Sequence, residues 1–468
     1  MEVHEVINQM LATRKRNKGK PKERKREFME LIDKVLASRN LTDACKEVVR
    51  NKGAGGVDSM SVKDLKGYLD EYRQELIEQI QQHNYQPKPV RGKEIPKGSG
   101  KTRLLGIPTV IDRMLQQAVS RVIMPQYEYM FSCYSYGYRP KRNTHQAVQK
   151  SLSYINSGFQ HIIEIDLKGF FDEVDHVLLL QILYRKIKCK ATMCLLRRWL
   201  RVPMVVDGNL VKRRKGVPQG SPISPLLSNI ILHELDEEME RLGLRFVRYA
   251  DDFSIYCNTK SKANKAWDTI TKFLHEKLKL PINQNKSGIR RPVNFHILGY
   301  GFVPTYVSGS KGRYQLVVAP ERWKRFKSKL KLLTRKTTPM SLDVRLAKLR
   351  EVYRGWINAF KYASMQNKLI QLDGWLRNRI RYCIRHHWKK PNKKMRSLIR
   401  LGVNPGTAYA WSRSRLGGWA IAQSPILGTT ITISNLKKRG YESLFEYYQS
   451  VSPVFTQYPL EKAGILIF

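Results

Sequence analysis

Tyr249-Ala250-Asp251-Asp252 lies between two short apolar runs, Phe246-Val247-Arg248 and Phe253-Ser254-Ile255-Tyr256. The pattern predicts two strands joined by a tight turn, with both aspartates at the tip of a β-hairpin. Adjacent carboxylates repel, so packing them together makes sense chiefly where a cation shares them. An ordinary acidic turn has the same four letters. The surrounding sequence therefore decides the reading.

Upstream, Ile162-Ile163-Glu164-Ile165-Asp166-Leu167 reads as a strand ending in a carboxylate, followed by Lys168-Gly169-Phe170-Phe171-Asp172. A third aspartate at a strand end beside the hairpin supplies the oxygen ligands that two Mg2+ ions need for in-line phosphoryl transfer. One ion would activate a primer 3′-hydroxyl; the other would hold a triphosphate and stabilise the leaving pyrophosphate. Asp172 and Asp175 have the composition of ligands as well, but read as helix-start residues.

The composition agrees with a polyanionic partner. The 468 residues carry 85 Lys or Arg against 39 Asp or Glu, a net charge of +46 and a pI of about 10.1. Self-repulsion on this scale argues against an ordinary small-molecule enzyme. A 42% hydrophobic and 10% aromatic content argues equally against a disordered basic tail and predicts two or three folded modules. The six cysteines form no CxxC pair and no zinc pattern, which points to an intracellular protein without a disulfide framework. The amino terminus has no apolar signal-like run and no stretch approaches a membrane span, so a soluble nucleic-acid binder is expected.

Val3, Val6, Ile7, Met10 and Leu11 fall at helical spacing over residues 2–13. A run from Arg14 to Arg26, crowded with Lys and Arg around Gly19 and Pro21, reads either as a solvated linker or as a phosphate-contacting arm. Phe28, Leu31, Ile32, Val35 and Leu36 predict a second amphipathic helix. Helical patterns then alternate with short strands from about 40 to 305, giving a mixed α+β domain. Residues 321–400 differ: 24 Lys or Arg face four acids, and apolar residues such as Leu342, Leu346, Leu349 and Tyr353 recur at helical spacing. A small helical bundle with basic faces is expected there. The last 70 residues include a β-rich run, Thr429–Ile433.

Several blocks, in order, resemble the group II intron-encoded reverse transcriptase/maturase family. Asn51-Lys52-Gly53-Ala54-Gly55-Gly56-Val57-Asp58 is similar to its opening block. Ile95-Pro96-Lys97, then Arg103-Leu104-Leu105-Gly106-Ile107-Pro108-Thr109 to Asp112-Arg113, resembles its fingers block. Ser135-Tyr136-Gly137-Tyr138-Arg139-Pro140 follows, then Gly216-Val217-Pro218-Gln219-Gly220-Ser221-Pro222, similar to a palm-helix block, and Leu298-Gly299-Tyr300, similar to a primer grip. Tyr353-Arg354-Gly355-Trp356 and the segment from Trp411 to Trp419 have the look of the thumb and maturase region.

The resemblance implies roles, residue by residue. Asp166, Asp251 and Asp252 would be catalytic and bind the metals, with the Leu167 carbonyl as a further ligand. Lys97 and Arg103, bracketing Gly98-Ser99-Gly100, would close on the triphosphate, with Lys286 near it. Phe171 matches the position that excludes a ribose 2′-hydroxyl, while Gln219 and Gly220 would sit against the nascent base pair. Tyr249, Leu298, Gly299 and Tyr300 would contact primer and template.

The implied fold is α+β, a right-hand polymerase. Residues 1–40 would form an extension with a basic arm, 41–305 fingers and palm, 306–395 a helical-bundle thumb, and 396–468 a small DNA-binding domain. Implied partners are group II intron RNA, an RNA template with a DNA or RNA primer, target DNA and dNTPs, with no membrane and the oligomeric state open. Two Mg2+ ions would serve, with Mn2+ as a substitute, in a bacterial-type cytoplasm near the nucleoid. Many members end in an HNH-type endonuclease with Cys and His ligands; the last cysteine here is Cys383, so no second-strand cleavage is expected. Two other readings compete. One is a domesticated relative in phage defence, CRISPR adaptation or DNA repair. The other is an RNA-binding splicing factor with a vestigial polymerase, against which the intact Asp166, Asp251 and Asp252 argue.

Overall fold

The computed structural model of the chain describes residues 31–98, 101–305 and 312–456, in two units divided between Arg291 and Pro292. The helix expected over 2–13 and the basic run 14–26 lie outside the described residues. The second amphipathic stretch is helical over 31–36, where Ile32, Val35 and Leu36 are buried in the core.

Unit one begins with helices α1 (Ser38–Arg50) and α2 (Leu65–Gln81), followed by the hairpin β1 (Val90–Gly98) and β2 (Lys101–Ile107). Helix α3 (Val110–Glu128) starts at Thr109, whose side chain accepts from the Asp112 amide. Helix α4 (Thr144–Asn156) has a capping box between Asn143 and Gln146. Strand β3 (His161–Ile165) leads to helices α5 (Phe170–Glu173), α6 (His176–Lys186) and α7 (Lys190–Arg201), then to strands β4 (Met204–Val206) and β5 (Asn209–Val211). Helix α8 (Ser224–Arg241), strands β6 (Arg245–Tyr249) and β7 (Asp252–Cys257), helix α9 (Lys260–Glu276) and strand β8 (Gly288–Arg290) complete the unit.

Two four-stranded sheets result, in the orders β2-β1-β4-β5 and β6-β7-β3-β8. The second is antiparallel throughout and positions the site. Side chains alternate across it. Ile163, Ile165, Phe253 and Ile255 join the helices' main hydrophobic core. Tyr256 points the other way, its hydroxyl donating to Ser151 Oγ at 2.7 Å and its ring 5.3 Å from Tyr154, both on α4. The α+β class expected from sequence is the one observed.

Unit two opens with strands β9 (His296–Ile297), β10 (Tyr300–Pro304) and β11 (Tyr314–Val318), paired in the order β11-β10-β9. Three long helices follow, α10 (Pro320–Leu333), α11 (Leu342–Phe360) and α12 (Gln366–His386). Phe326 of α10 and Trp356 of α11 stack at 4.1 Å. Arg345, 1% exposed, donates to the carbonyls of Leu333, Arg335 and Thr338 and so closes the end of α10. Short helices come last: α13 (Pro391–Arg400), α14 (Pro405–Ser412), α15 (Gly418–Gln423), α16 (Pro425–Thr430), α17 (Ile433–Lys438) and α18 (Leu444–Val451).

Unit two begins ahead of the boundary expected at 305: β9, β10 and β11 pair with one another and Tyr300 packs on α11. The segment from 396 packs on the helices before it. Asp373 of α12, 2% exposed, accepts from the hydroxyls of Tyr441 (2.7 Å) and Ser443 (2.6 Å) and the amides of Leu444 (2.9 Å) and Phe445 (3.0 Å). Finally, Thr429–Ile433 is not a strand. Pro425 starts α16, Thr432 caps α17, and burial of Thr430 and Ile431 overrides their β-branched preference. Among the described residues no helix is long and apolar enough to cross a membrane, and all six cysteines are free thiols.

Candidate active site

Tyr249 pairs with Asp252, so Ala250 and Asp251 form the two-residue turn between β6 and β7. Ala250 takes the left-handed conformation (φ 58°), which favours a residue without a β-carbon. The surrounding chain holds it there. Arg248, wholly buried, donates to both carboxylate oxygens of equally buried Asp236 on α8, to Asn229 Oδ1 at 2.9 Å and to the Ala250 carbonyl at 3.1 Å. Asn229 in turn donates to the Gly137 carbonyl at 2.9 Å. Gly137 lies so close that a β-carbon would stand 2.1 Å from the Ala250 nitrogen, which only glycine permits.

Asp166 follows β3, where Ile165 faces Phe253, and thus comes beside the hairpin tip. Its Oδ2 accepts from Asn283 Nδ2 at 2.9 Å and pairs with Lys286 Nζ at 3.2 Å, while its amide donates to Ser287 Oγ at 3.0 Å. Leu167 bridges to Ile282. Asp252 keeps solvent access at the tip, yet burial pushes its carboxyl up to about 6, helped by the charges of Asp251, Asp166 and Glu164. Such a concentration of negative charge fits a divalent cation, and Lys286 already stands in for one at Asp166. Among the described residues no group of three His, Cys, Asp or Glu side chains is placed to hold a metal ion by itself.

The raised value has a checkable sign. Between an ordinary aspartate value near 4 and about 6, the folded chain holds a proton that the unfolded chain has lost. Stability therefore falls as pH rises through that window. In chelator at pH 8, Asp252→Asn is expected to melt roughly 1–4 °C above the parent, the gap closing by about pH 4. The solvent access of this carboxylate keeps the effect small. A variant that melts lower at pH 8, or a gap that persists in acid, overturns the electrostatic reading.

The sheet β2-β1-β4-β5 brings further expected residues to this region. Arg103 on β2 donates through Nε to Gln219 Oε1. The Gly106 amide donates to the Gln219 carbonyl at 2.7 Å, and a β-carbon on Gly220 (φ 106°) would meet the Gly106 carbonyl at 2.8 Å. Phe171 is 6% exposed, its ring 5.3 Å from Phe170 and its carbonyl accepting from Val217 at 2.6 Å. It is a core residue held from behind by the Gly216–Val217 segment. The Lys97 side chain lies outside the described residues. Asp175 caps α6, accepting from the Leu178 amide at 2.8 Å, which is the helix-start role expected of it.

Leu298 and Gly299 form a left-handed turn (φ 53° and 87°) in unit two. Tyr300 is 1% exposed, and its hydroxyl donates to the Ala359 carbonyl at 2.7 Å. Sequence reasoning gave no role to Asn229, Asp236, Arg248 or Asn283. It also passed over Tyr138, whose hydroxyl is pushed up by burial and by Asp251, with Arg103 opposing.

A hairpin of paired carboxylates with a third at the next strand end, beside an arginine and a glycine-bearing turn, is the layout of a nucleotidyl-transferring polymerase. The model described as "Reverse transcriptase (RNA-dependent DNA polymerase)" matches residues 95–302, and "Group II intron, maturase-specific domain" matches 323–402. Protein YkfC of Escherichia coli (strain K12) is 30% identical over 302 residues, covering 56% of this chain and 79% of that protein. Group II intron-encoded protein LtrA of Lactococcus lactis is 36% identical over 206 residues, 44% of this chain and 34% of LtrA. A putative COX1/OXI3 intron 2 protein of Saccharomyces cerevisiae is 30% identical over 249 residues, 52% of this chain and 28% of that one. The matches thus span about a third of the two intron proteins' length. The chain belongs to the group II intron-encoded reverse transcriptase/maturase family.

Proposed function

We propose that this RNA-directed DNA polymerase copies the RNA of a group II intron, and that it also binds that intron to assist its splicing. The observation that carries the reading is the register that sets Asp166 beside Asp251 and Asp252, with a maturase-specific domain on the same chain. In the right-hand reading, unit one supplies fingers and palm, and the helices of unit two a thumb with basic faces for template–primer duplex and intron RNA.

Two Mg2+ ions, when bound, would activate the primer 3′-hydroxyl and neutralise the leaving pyrophosphate. Asp166, Asp251 and Asp252 would hold them, with the Leu167 carbonyl. Arg103, Lys97 and Lys286 would hold the triphosphate, Lys286 moving to it from Asp166. Gln219 and Gly220 would carry the nascent base pair on a backbone that approaches closely because residue 220 lacks a β-carbon.

Purified full-length protein with an RNA template, an annealed DNA primer, dNTPs and Mg2+ is expected to yield cDNA, and to speed splicing of a precursor containing the intron that flanks its gene. Splicing without cDNA overturns the polymerase half; cDNA without an effect on splicing overturns the maturase half. Substitution at the sugar position is a finer check. Phe171→Val is expected to raise rNTP incorporation relative to dNTP by about tenfold, since removing an aromatic wall is worth one to two kcal/mol of discrimination. An unchanged ratio of kcat/KM values removes Phe171 from the site and leaves it in the core alone.

A further inference from the structure

We propose that a groove between α10 and α12 in unit two is a stacking site for one unpaired nucleotide of an RNA strand. The groove has a volume of about 330 Å3 and is framed by Trp323 and Lys327 from α10 and by Lys368, Gln371 and Trp375 from α12. These residues fall three, four and seven apart on their helices, so each helix turns one face to the groove. Both indoles are half-buried, and no carboxylate lines the groove.

The two sides are reciprocal. Lys368 of α12 lies 5.7 Å from the Trp323 ring of α10, and Lys327 of α10 lies 5.3 Å from the Trp375 ring of α12. Trp323 cannot swing away, because Trp356 packs 4.7 Å from its ring and is itself stacked on Phe326. The groove thus offers two aromatic faces. Trp323 is held by Trp356 and covered by the exposed Lys368 ammonium. Trp375 is covered by the exposed Lys327 ammonium, with the Arg379 guanidinium also 5.9 Å from the Trp375 ring. Base stacking on an indole outweighs a solvent-exposed cation–π contact, and the displaced lysines then stand where the flanking phosphates run. Lys324 adds a third cation and Gln371 a group that can both donate to and accept from a ribose hydroxyl. A base paired within a duplex cannot present its face here. The choice of RNA rests on the maturase reading of this unit, whose family match covers both tryptophans.

Photocrosslinking tests the site on the full chain. A short oligouridylate carrying 5-iodouridine is expected to label peptides containing Trp323 or Trp375. Unlabelled single-stranded RNA should compete, blunt RNA duplex should not, and DNA of the same sequence should compete more weakly than RNA. Trp375→Leu keeps an apolar residue at the rim and is expected to lower the yield at Trp323 about tenfold; Lys327→Glu, a surface change, should lower it severalfold. Labelling confined to other peptides, equal competition by duplex, stronger competition by DNA, or full yield in both variants overturns the proposal. Primer extension by the same preparation separates the outcomes: cDNA synthesis without labelling at the groove sinks the groove and leaves the polymerase standing.

Discussion

Joint replacement of Asp251 and Asp252 by alanine is expected to lower cDNA synthesis at least about a thousandfold, which corresponds to roughly 4 kcal/mol of transition-state stabilisation. These two carboxylates are the part of the site that the hairpin turn, the buried Arg248 and the close approach of Gly137 all position. Binding of RNA should change little, because the substitution adds two units to a net charge that is already +46. The parent should also lose activity as pH falls through about 6, where Asp252 takes up a proton. Raising Mg2+ should shift that acid limb downward, since metal and proton compete for the same oxygens. A double variant that still polymerises, or an acid limb indifferent to Mg2+, removes the hairpin from the chemistry.

Asp236→Leu is the second change with a large expected effect, and Asp236 lies outside the carboxylate cluster. It leaves the wholly buried Arg248 without its two-oxygen partner, which costs about 3–5 kcal/mol. A fall in melting temperature of roughly 10 °C follows for a unit of this size. Stability alone would not show that the network serves the site. Combining Asp236→Leu with Arg248→Met removes the stranded charge and is expected to restore most of the lost stability. The Ala250 carbonyl then has no guanidinium to hold it, so polymerisation should stay low at temperatures where the double variant is folded. Recovery of both stability and activity would make the pair purely structural.

Much of this was legible in short strings. The hairpin, the strand ending at Asp166 and the Gln219–Gly220 turn each declare themselves within a few residues, because strand alternation and turn chemistry are local. The Arg248 network was not, since its members come from α8 and β6 and meet only in the fold. A signal existed: Asn229 and Asp236 lie seven residues apart, two helical turns, on a helix whose neighbours Ile230, Ile231, Leu232 and Leu235 are all buried. Polar residues repeated on a buried helical face need a partner, and Arg248, between Val247 and Tyr249 in a strand, is the one they find. The burial of Tyr300 was hidden for the opposite reason. Its block matched a primer-facing role, while the fold uses the ring as core and leaves the turn before it half-buried. Thr429–Ile433 misled through propensity, which tertiary burial overruled.

The four hydrogen bonds on Asp373 tie the order of synthesis to the order of folding. A nascent chain that has made α12 carries a buried-to-be carboxylate whose donors, Tyr441 to Phe445, do not yet exist. Unit one is made earlier, and domains made first generally fold first. Unit one can therefore fold on the ribosome while the basic helices of unit two still wait for their last partners.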